Sequence, residues 1–427
     1  MPARIVFVNR FFWPDQSATS QILSDVAFDL AAHGDTVTVV TSAASYDDAR
    51  IRFLAHERVR GVEIVRVRSA SGRQGSLLAR ALAFLSFYVM ASLACLRHVR
   101  CGDVLVVKTD PPLLSVPMMA VARLRGAWLV TWLQDLYPEV AAELDVAVAR
   151  GLPGRLLRAL RNRSLRAAAV NVAIGERMRL LLKHAGIVPA RIAVIPNWTA
   201  DDAIVPDAPG FQALRMEWGF SPLDIVVGYS GNLGRAHDID TLLAAAQLLQ
   251  AAGRNNIRFL FVGGGQLRRQ LLDQAAALGL TNIVCRPYVD REQLGQSLAV
   301  ADIHWLSLRP ELEGLIVPSK VYGIAASGRA AIFVGSLDGE IAQMLDRDRS
   351  GLTCPIGDAA LLARHIVHLA DTPAARHEMG ANGRAALDTH YNKTTQMLAW
   401  RRLIDSVATH GRARIDDTSA TPAFSKR

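Results

Sequence analysis

Residues 224–262 read DIVVGYSGNLGRAHDIDTLLAAAQLLQAAGRNNIRFLFV. An apolar, β-branched run (224–229) gives way to a glycine-containing polar loop, then to a helix-length pattern (239–251), then to a second apolar run (257–262). Apolar runs without alternation suit strands buried on both faces, and a helix between two of them is the crossover that joins parallel strands. The stretch reads as one βαβ unit.

The unit recurs in both directions. Downstream, 282–286, 302–307 and 330–334 read as strands, with helical patterns at 267–277, 291–299 and 319–327. Upstream, strand-like runs at 5–9, 36–41, 62–67, 103–108, 128–133 and 170–174 are interleaved with helical stretches such as 20–32, 77–96 and 155–168. The expected fold class is α/β, with two Rossmann-like, doubly wound parallel sheets in succession. Ile195-Pro196-Asn197-Trp198, followed by a polar, proline-containing stretch, marks the junction. The domains expected are 1–197 and 198–390, then a closing helix at 391–410 that packs back on the first domain, and a disordered tail at 411–427. Parallel sheets take ligands beyond the carboxyl ends of their strands, so two such domains facing each other form a cleft.

The chain has 427 residues, of which 51% are hydrophobic and 20% charged, enough apolar surface to exclude disorder over most of its length. Cys95, Cys101, Cys285 and Cys354 lack the spacing of zinc or thiol redox motifs and read as reduced, buried residues of a cytoplasmic protein. The amino terminus, MPARIVFVNR, has no secretory pattern. Charge is lopsided: the net +9 arises entirely within residues 1–196, which hold 25 Lys+Arg against 15 Asp+Glu. Its densest part is GRLLRALRNRSLRAA, where Arg155, Arg158, Arg161, Arg163 and Arg166 interleave with leucines at helical spacing. Such a helix suits an anionic membrane surface, or is simply a solvated basic face. Nucleic acid is not expected, for want of a recognition-helix motif or interleaved aromatics. Residues 81–96 are uncharged, but sixteen residues fall short of the roughly 20 that span a bilayer, leaving a buried helix or one lying in a membrane interface.

Strand ends are where chemistry is sought. The first loop, Asn9-Arg10-Phe11-Phe12-Trp13-Pro14-Asp15-Gln16-Ser17-Ala18, has no glycine, which argues against a dinucleotide there. In the loop after 224–229, Gly231 and Gly234 let backbone N–H groups approach a phosphate, and Arg235 can neutralise it. Ser319-Lys320 at a helix start is a second anion site, in a chain with only five lysines. Gly335-Ser336-Leu337-Asp338-Gly339-Glu340 is a third polar strand end, and Gly263-Gly264-Gly265 reads equally as a tight turn.

Taken together, SGNLGRAHDIDTLL, FLFVGGGQLRRQL, NIVCRPYVDREQLGQSLAVADI, EGLIVPSKVYGIAASGRAAIF and GEIAQML resemble the nucleotide-binding half of glycosyltransferase family 4, retaining enzymes of the GT-B fold. FWPDQSATSQILSDVAFDLAAHGDTVTVVTS, TDPPLLS and QDLYPEV resemble the subgroup that makes colanic acid and O-antigen, including fucosyl and N-acetylfucosaminyl transferases. The resemblance implies a nucleotide-sugar donor, UDP-linked by preference, on the second domain. It implies a lipid-linked saccharide acceptor on the first, at the inner face of the cytoplasmic membrane, and neither metal nor cofactor. It assigns Gly231, Asn232, Gly234 and Arg235 to the diphosphate, with Lys320 as second cation, and adds Gly264, Arg286, Pro287, Ser319 and Glu340 to the donor site, with Gln16 and Ser17 facing it. Catalytic candidates are Arg235, Lys320, Glu313 and Asp135, the last ending a buried strand where it, or Glu139, can orient an acceptor hydroxyl.

Two departures stand out. The family's paired glutamates fall on Leu315 and Gly323, which leaves Glu313 as the nearest carboxylate, and a usual lysine falls on His237. The lost carboxylates keep two alternatives in view, a UDP-sugar epimerase of the same fold and a non-catalytic sugar-nucleotide-binding scaffold.

Overall fold

The strands form where β-branched and apolar residues run together, and most are buried on both faces. In the computed structural model, which describes residues 3–15, 17–45, 51–70, 77–199 and 204–412, they assemble into two sheets. The first holds β1 (Arg4–Val8), β2 (Thr36–Ser42), β3 (His56–Val59), β4 (Val62–Val67), β5 (Val104–Lys108), β6 (Trp128–Trp132), β7 (Val170–Ala173) and β8 (Ile192–Val194). Their order is β3-β4-β2-β1-β5-β6-β7-β8, parallel throughout except for β3. The second holds β9 (Ile225–Ser230), β10 (Ile257–Val262), β11 (Ile283–Arg286), β12 (Ile303–Ser307), β13 (Ala330–Val334) and β14 (Gly351–Cys354), all parallel, in the order β11-β10-β9-β12-β13-β14. That is the doubly wound order, with its reversal point between β9 and β12. The corresponding point of the first sheet lies between β1 and β5.

Contacts divide the chain into one unit of Met1–Ala200 with Lys393–Pro422 and another centred on Asp201–Asn392. The helix Lys393–His410 thus belongs with the first sheet. It inserts Met397, Trp400, Leu403, Ile404 and Val407 into the core that β1, β5, β6 and the helix Ala18–Ala32 share. Trp400 packs on Trp132 with ring centroids 4.3 Å apart, and Lys393 reaches Asp25 at 2.6 Å. Asp25 also accepts from the Trp198 indole at 3.0 Å. Of the expected tail, 413–427 lie outside the described residues.

The other face of the first sheet carries the helices Leu77–His98 and Ser115–Arg125. At 22 residues the former is longer than its uncharged stretch suggested. Among the described residues it is the one helix long and apolar enough to cross a membrane. Ala83, Phe87, Ala91 and Cys95 bury one side of it on the sheet, while Leu82, Leu85, Val89 and Leu93 stay exposed on the other. The arginine-rich helix, Gly151–Ala167, likewise exposes Leu152, Leu156 and Leu160, yet buries Arg161.

Three strands depart from the sequence reading. β3 is a charged antiparallel edge whose exposure alternates, and β8 and β14 are only three and four residues long. Cys95 and Cys354 are buried, but Cys101 is exposed and Cys285 half-buried, so the expectation of four buried thiols fails at these two.

Candidate active site

At the reversal point of the second sheet, three strand ends are laced together by their glycines. Gly231 has φ +127°, a conformation open to glycine, and a Cβ there would meet Lys320 Cε at 2.7 Å. Gly263 lies so close to the first loop that a Cβ would come within 2.4 Å of Gly231 O. Backbone bonds run from Gly231 N to Val262 O (2.9 Å), from Leu233 N to Gly264 O (2.7 Å) and from Gly263 N to Arg286 O (3.0 Å). The glycine run at 263–265 is therefore the seat of the first loop rather than an isolated turn.

Lys320 opens the helix Lys320–Ala326 and lays its stem along Gly231, with Nζ 5.3 Å from the centre of the Tyr229 ring. Burial lowers its pKa to about 8, because a desolvated ammonium favours its neutral form. His237 bridges β9 and β12: Nδ1 lies 2.7 Å from Ser307 O, and Nε2 lies 3.1 Å from the Tyr229 hydroxyl, which itself reaches Asn232 O at 2.7 Å. Burial first, then Lys320, depress the imidazole to about 4, against the opposing bond to Ser307. Arg235 is exposed and lines a groove with His237, Asp238, Asp240, Arg309 and Glu311. Loop and lysine thus meet at the carboxyl end of β9, where the sheet topology puts a ligand, while Arg235 stands in the neighbouring groove.

Other candidates are employed differently. Glu313 does not stand free for a sugar: its Oε2 accepts from Glu340 N at 3.1 Å, and Oε1 would contact a Cβ on Gly339 at 2.4 Å. It caps the helix Glu340–Asp348, whose first N–H groups have no partner within the helix. Glu340 is buried, and its charge acts on Tyr322 and Tyr391. Arg286 donates to Trp218 O at 2.9 Å, a contact that braces the unit. Pro287 is exposed next to Tyr288, whose ring would sit 3.0–3.1 Å from a Cβ on Gly263 or Gly264. Ser319 is exposed at the N-cap position but makes no side-chain cap bond. At Gly323 a Cβ would meet only Leu298, at 3.6 Å.

In the first unit Ser17 accepts from Ser20 N and caps the helix Ala18–Ala32. Gln16 lies outside the described residues. Asp135 lines a small pocket with Lys108, Thr109, Ser115, Tyr137 and Arg161, while Glu139 is committed to buried Arg161 at 2.6 Å. Burial and then Asp110 raise Asp135 to about 6, with Lys108 acting in the opposite sense. Lys108 is 1% exposed, donates to Thr19 O at 2.9 Å and holds Nζ 3.9 Å from the Trp132 ring centre. Burial lowers it to about 7, with Asp110 and Asp135 acting in the opposite sense. Sequence reading passed over Lys108. Its signal was a lysine at the carboxyl end of an apolar strand in a chain that otherwise favours arginine. Among the described residues no group of three or more His, Cys, Asp or Glu side chains is arranged to hold a metal ion.

Residues 19–198 match the family described as Glycosyl transferase 4-like domain, and residues 224–372 match Glycosyl transferases group 1. The fold is that of sucrose-phosphate synthase from Thermosynechococcus elongatus, with a TM-score of 0.75 at 17% identity over 96% of this chain and 100% of that one. The chain is a glycosyltransferase of the GT-B fold. The transferase is similar to WbjE of Pseudomonas aeruginosa, a probable glycosyltransferase, at 28% identity over 74% of this chain and 78% of the relative. It is also similar to WcaI of Escherichia coli strain K12, a putative colanic acid biosynthesis glycosyl transferase, at 26% identity over 78% and 83%. Anabaena HepE, solved in complex with UDP, shares the fold with a TM-score of 0.69 at 14% identity, over 94% of this chain and 100% of that one.

Proposed function

We propose that the transferase moves a deoxy or N-acetylated sugar from a UDP-linked donor to a lipid-linked saccharide in bacterial surface polysaccharide synthesis, with retention of configuration. The observation that carries this reading is the seat at the end of β9, where Gly231 and Lys320 are in contact and Arg235 stands on the same loop. Departure of a nucleoside diphosphate develops negative charge that the two cations can meet, while the N–H groups of Gly231, Leu233 and Gly234 already donate to Val262 O, Gly264 O and Asn232 O and shape the loop instead. No metal cofactor enters this scheme. Preorganised charge of this kind contributes on the order of 10² or more in rate for each group. The UDP complex of HepE supports the choice of base, and the similarity to WcaI, a putative colanic acid biosynthesis glycosyl transferase, supports the pathway.

On the acceptor side, Asp135 beside Lys108 is the group in this reading that orients the attacking hydroxyl. Peripheral attachment to an anionic membrane is supported by the exposed leucines of Leu77–His98 and Gly151–Ala167, the latter flanked by exposed Arg155 and Arg163. The test is thermal unfolding with UDP, GDP and NAD in parallel, followed by transfer of radiolabelled sugar into a lipid fraction. Ligand at about 100 times its Kd adds about 2.7 kcal/mol of stability. Stabilisation by NAD alone, or nucleotide binding with no transfer to any lipid acceptor, would refute the proposal.

A further inference from the structure

The chain of contacts through His237 has a definite hydrogen count. Ser307 O and Asn232 O are carbonyl oxygens and only accept. Nδ1 stands 2.7 Å from Ser307 O, so it must carry a hydrogen. The Tyr229 hydroxyl stands 2.7 Å from Asn232 O, so the phenol hydrogen points there; burial raises this phenol far above its ordinary range, and it keeps that hydrogen. The phenol oxygen can then only accept from Nε2, 3.1 Å away. Three links need three hydrogens, and neutral histidine plus tyrosine supply two.

Burial first, and Lys320 second, disfavour the third, and the other charges around the ring do not offset them. Arg235, Asp238 and Asp240 come from its own loop and the helix that follows, Arg309 and Glu311 from the segment after β12, and Lys320 from the helix Lys320–Ala326. Arg309 and Glu311 pair at 3.5 Å, and Asp238 caps Thr241 N at 3.2 Å. Three cations face three carboxylates, so the surroundings offer a buried imidazolium no surplus negative charge, and Lys320 repels it.

We propose that the diphosphate of a bound nucleotide sugar drives His237 to take a proton from solvent, and that the resulting imidazolium, donating to both Ser307 O and the Tyr229 hydroxyl, locks the carbonyl of Asn232 and hence the glycine loop around the ligand. His237 is thus a positioning residue coupled to donor binding. This rests on the donor-site reading above, and it explains how a histidine serves beside Lys320 despite being neutral in the empty site.

The experiment is calorimetry of UDP-glucose binding at pH 6.5 in two buffers of different ionisation enthalpy, for wild type, His237→Gln and His237→Lys. UDP-glucose has no phosphate that titrates near this pH, and Lys320, with its pKa of about 8, is charged before and after binding. Wild type is expected to take up between half a proton and one per ligand, and its affinity to rise as pH falls, by up to about tenfold per unit. His237→Gln is expected to bind more weakly with no uptake, and His237→Lys to bind without pH dependence in this window. Binding by wild type without uptake, or uptake that persists in His237→Gln, overturns the inference and leaves the donor site intact. Failure to bind UDP-, GDP- or ADP-glucose overturns the donor-site reading and this inference with it. Should His237→Gln not fold, 15N spectra of labelled histidine in wild type decide: both ring nitrogens protonated on adding UDP-glucose supports the inference, and a neutral tautomer overturns it.

Discussion

Replacing Lys320 by methionine removes the ammonium while keeping an unbranched stem against Gly231, and it should raise stability while lowering nucleotide affinity. The folded-state pKa of about 8 lies below the ordinary 10.5, so the fold disfavours the charged form. At roughly 1.36 kcal/mol per unit the ceiling is about 3 kcal/mol, and the solvent that half-buried Lys320 still meets brings it to about 1–3 kcal/mol. The sign follows from proton counting. Below pH 8 the lysine is charged in both states and the cost of burying it is complete. Between 8 and 10.5 the unfolded chain holds more protons, so wild-type stability climbs with pH towards that of the variant. Scanning fluorimetry at pH 7 should therefore show Lys320→Met melting higher, by about 2–4 °C per kcal/mol, with the gap closing by pH 10.5. Calorimetry at pH 7 should show UDP binding weakened about 10- to 150-fold, matching a charge-assisted bond worth about 1.5–3 kcal/mol. A variant that melts lower than wild type at pH 7, or that binds UDP unchanged, would refute the placement of this lysine as a desolvated phosphate ligand.

Glu313→Gln should lower stability by about 1 kcal/mol through its weakened helix cap and leave UDP affinity within twofold; a tenfold loss of affinity would return Glu313 to the donor site. Trp400→Ala should destabilise the first unit by about 3–5 kcal/mol, read as a lower midpoint in urea, and a change below 1 kcal/mol would contradict the packing on Trp132. Asp135, raised to about 6, holds its proton more firmly folded than unfolded, so stability should fall as pH rises from about 4 to 6. Asp135→Asn should flatten that slope in a melting series, and a slope that survives would assign it elsewhere. Replacing Arg155 and Arg163 by glutamine should weaken sedimentation with anionic vesicles, at about 1 kcal/mol per arginine, and leave neutral vesicles unaffected; equal binding to both vesicle types would exclude the electrostatic part of the docking.

The alternation of apolar runs and helical patterns made both sheets legible, since parallel strands buried on two faces leave an unbroken apolar signature. β3 was hidden by the opposite circumstance: at a sheet edge His56, Glu57 and Arg58 face solvent and carry no such run. That Gly231 takes a glycine conformation in the loop and that Lys320 opens a helix could be read because backbone conformation and helix-start patterns are local properties. What Glu313 and Arg286 do could not, because each answers a backbone group brought near only by the fold: Glu340 N and Trp218 O. The link from Ser307 through His237 to Tyr229 joins residues up to 78 positions apart in sequence, and no spacing rule foretells it.

The helix Lys393–His410 makes the second unit, in effect, an insertion within the first. During synthesis the residues up to Ala200 leave the ribosome with the groove beside Trp132 still open, because Trp400 has yet to be made. At about 5–20 residues per second, roughly 10–40 s pass before the helix follows. For that interval the nascent first unit exposes an apolar seam on its sheet, a natural stop for a chaperone, while the second unit can close on its own.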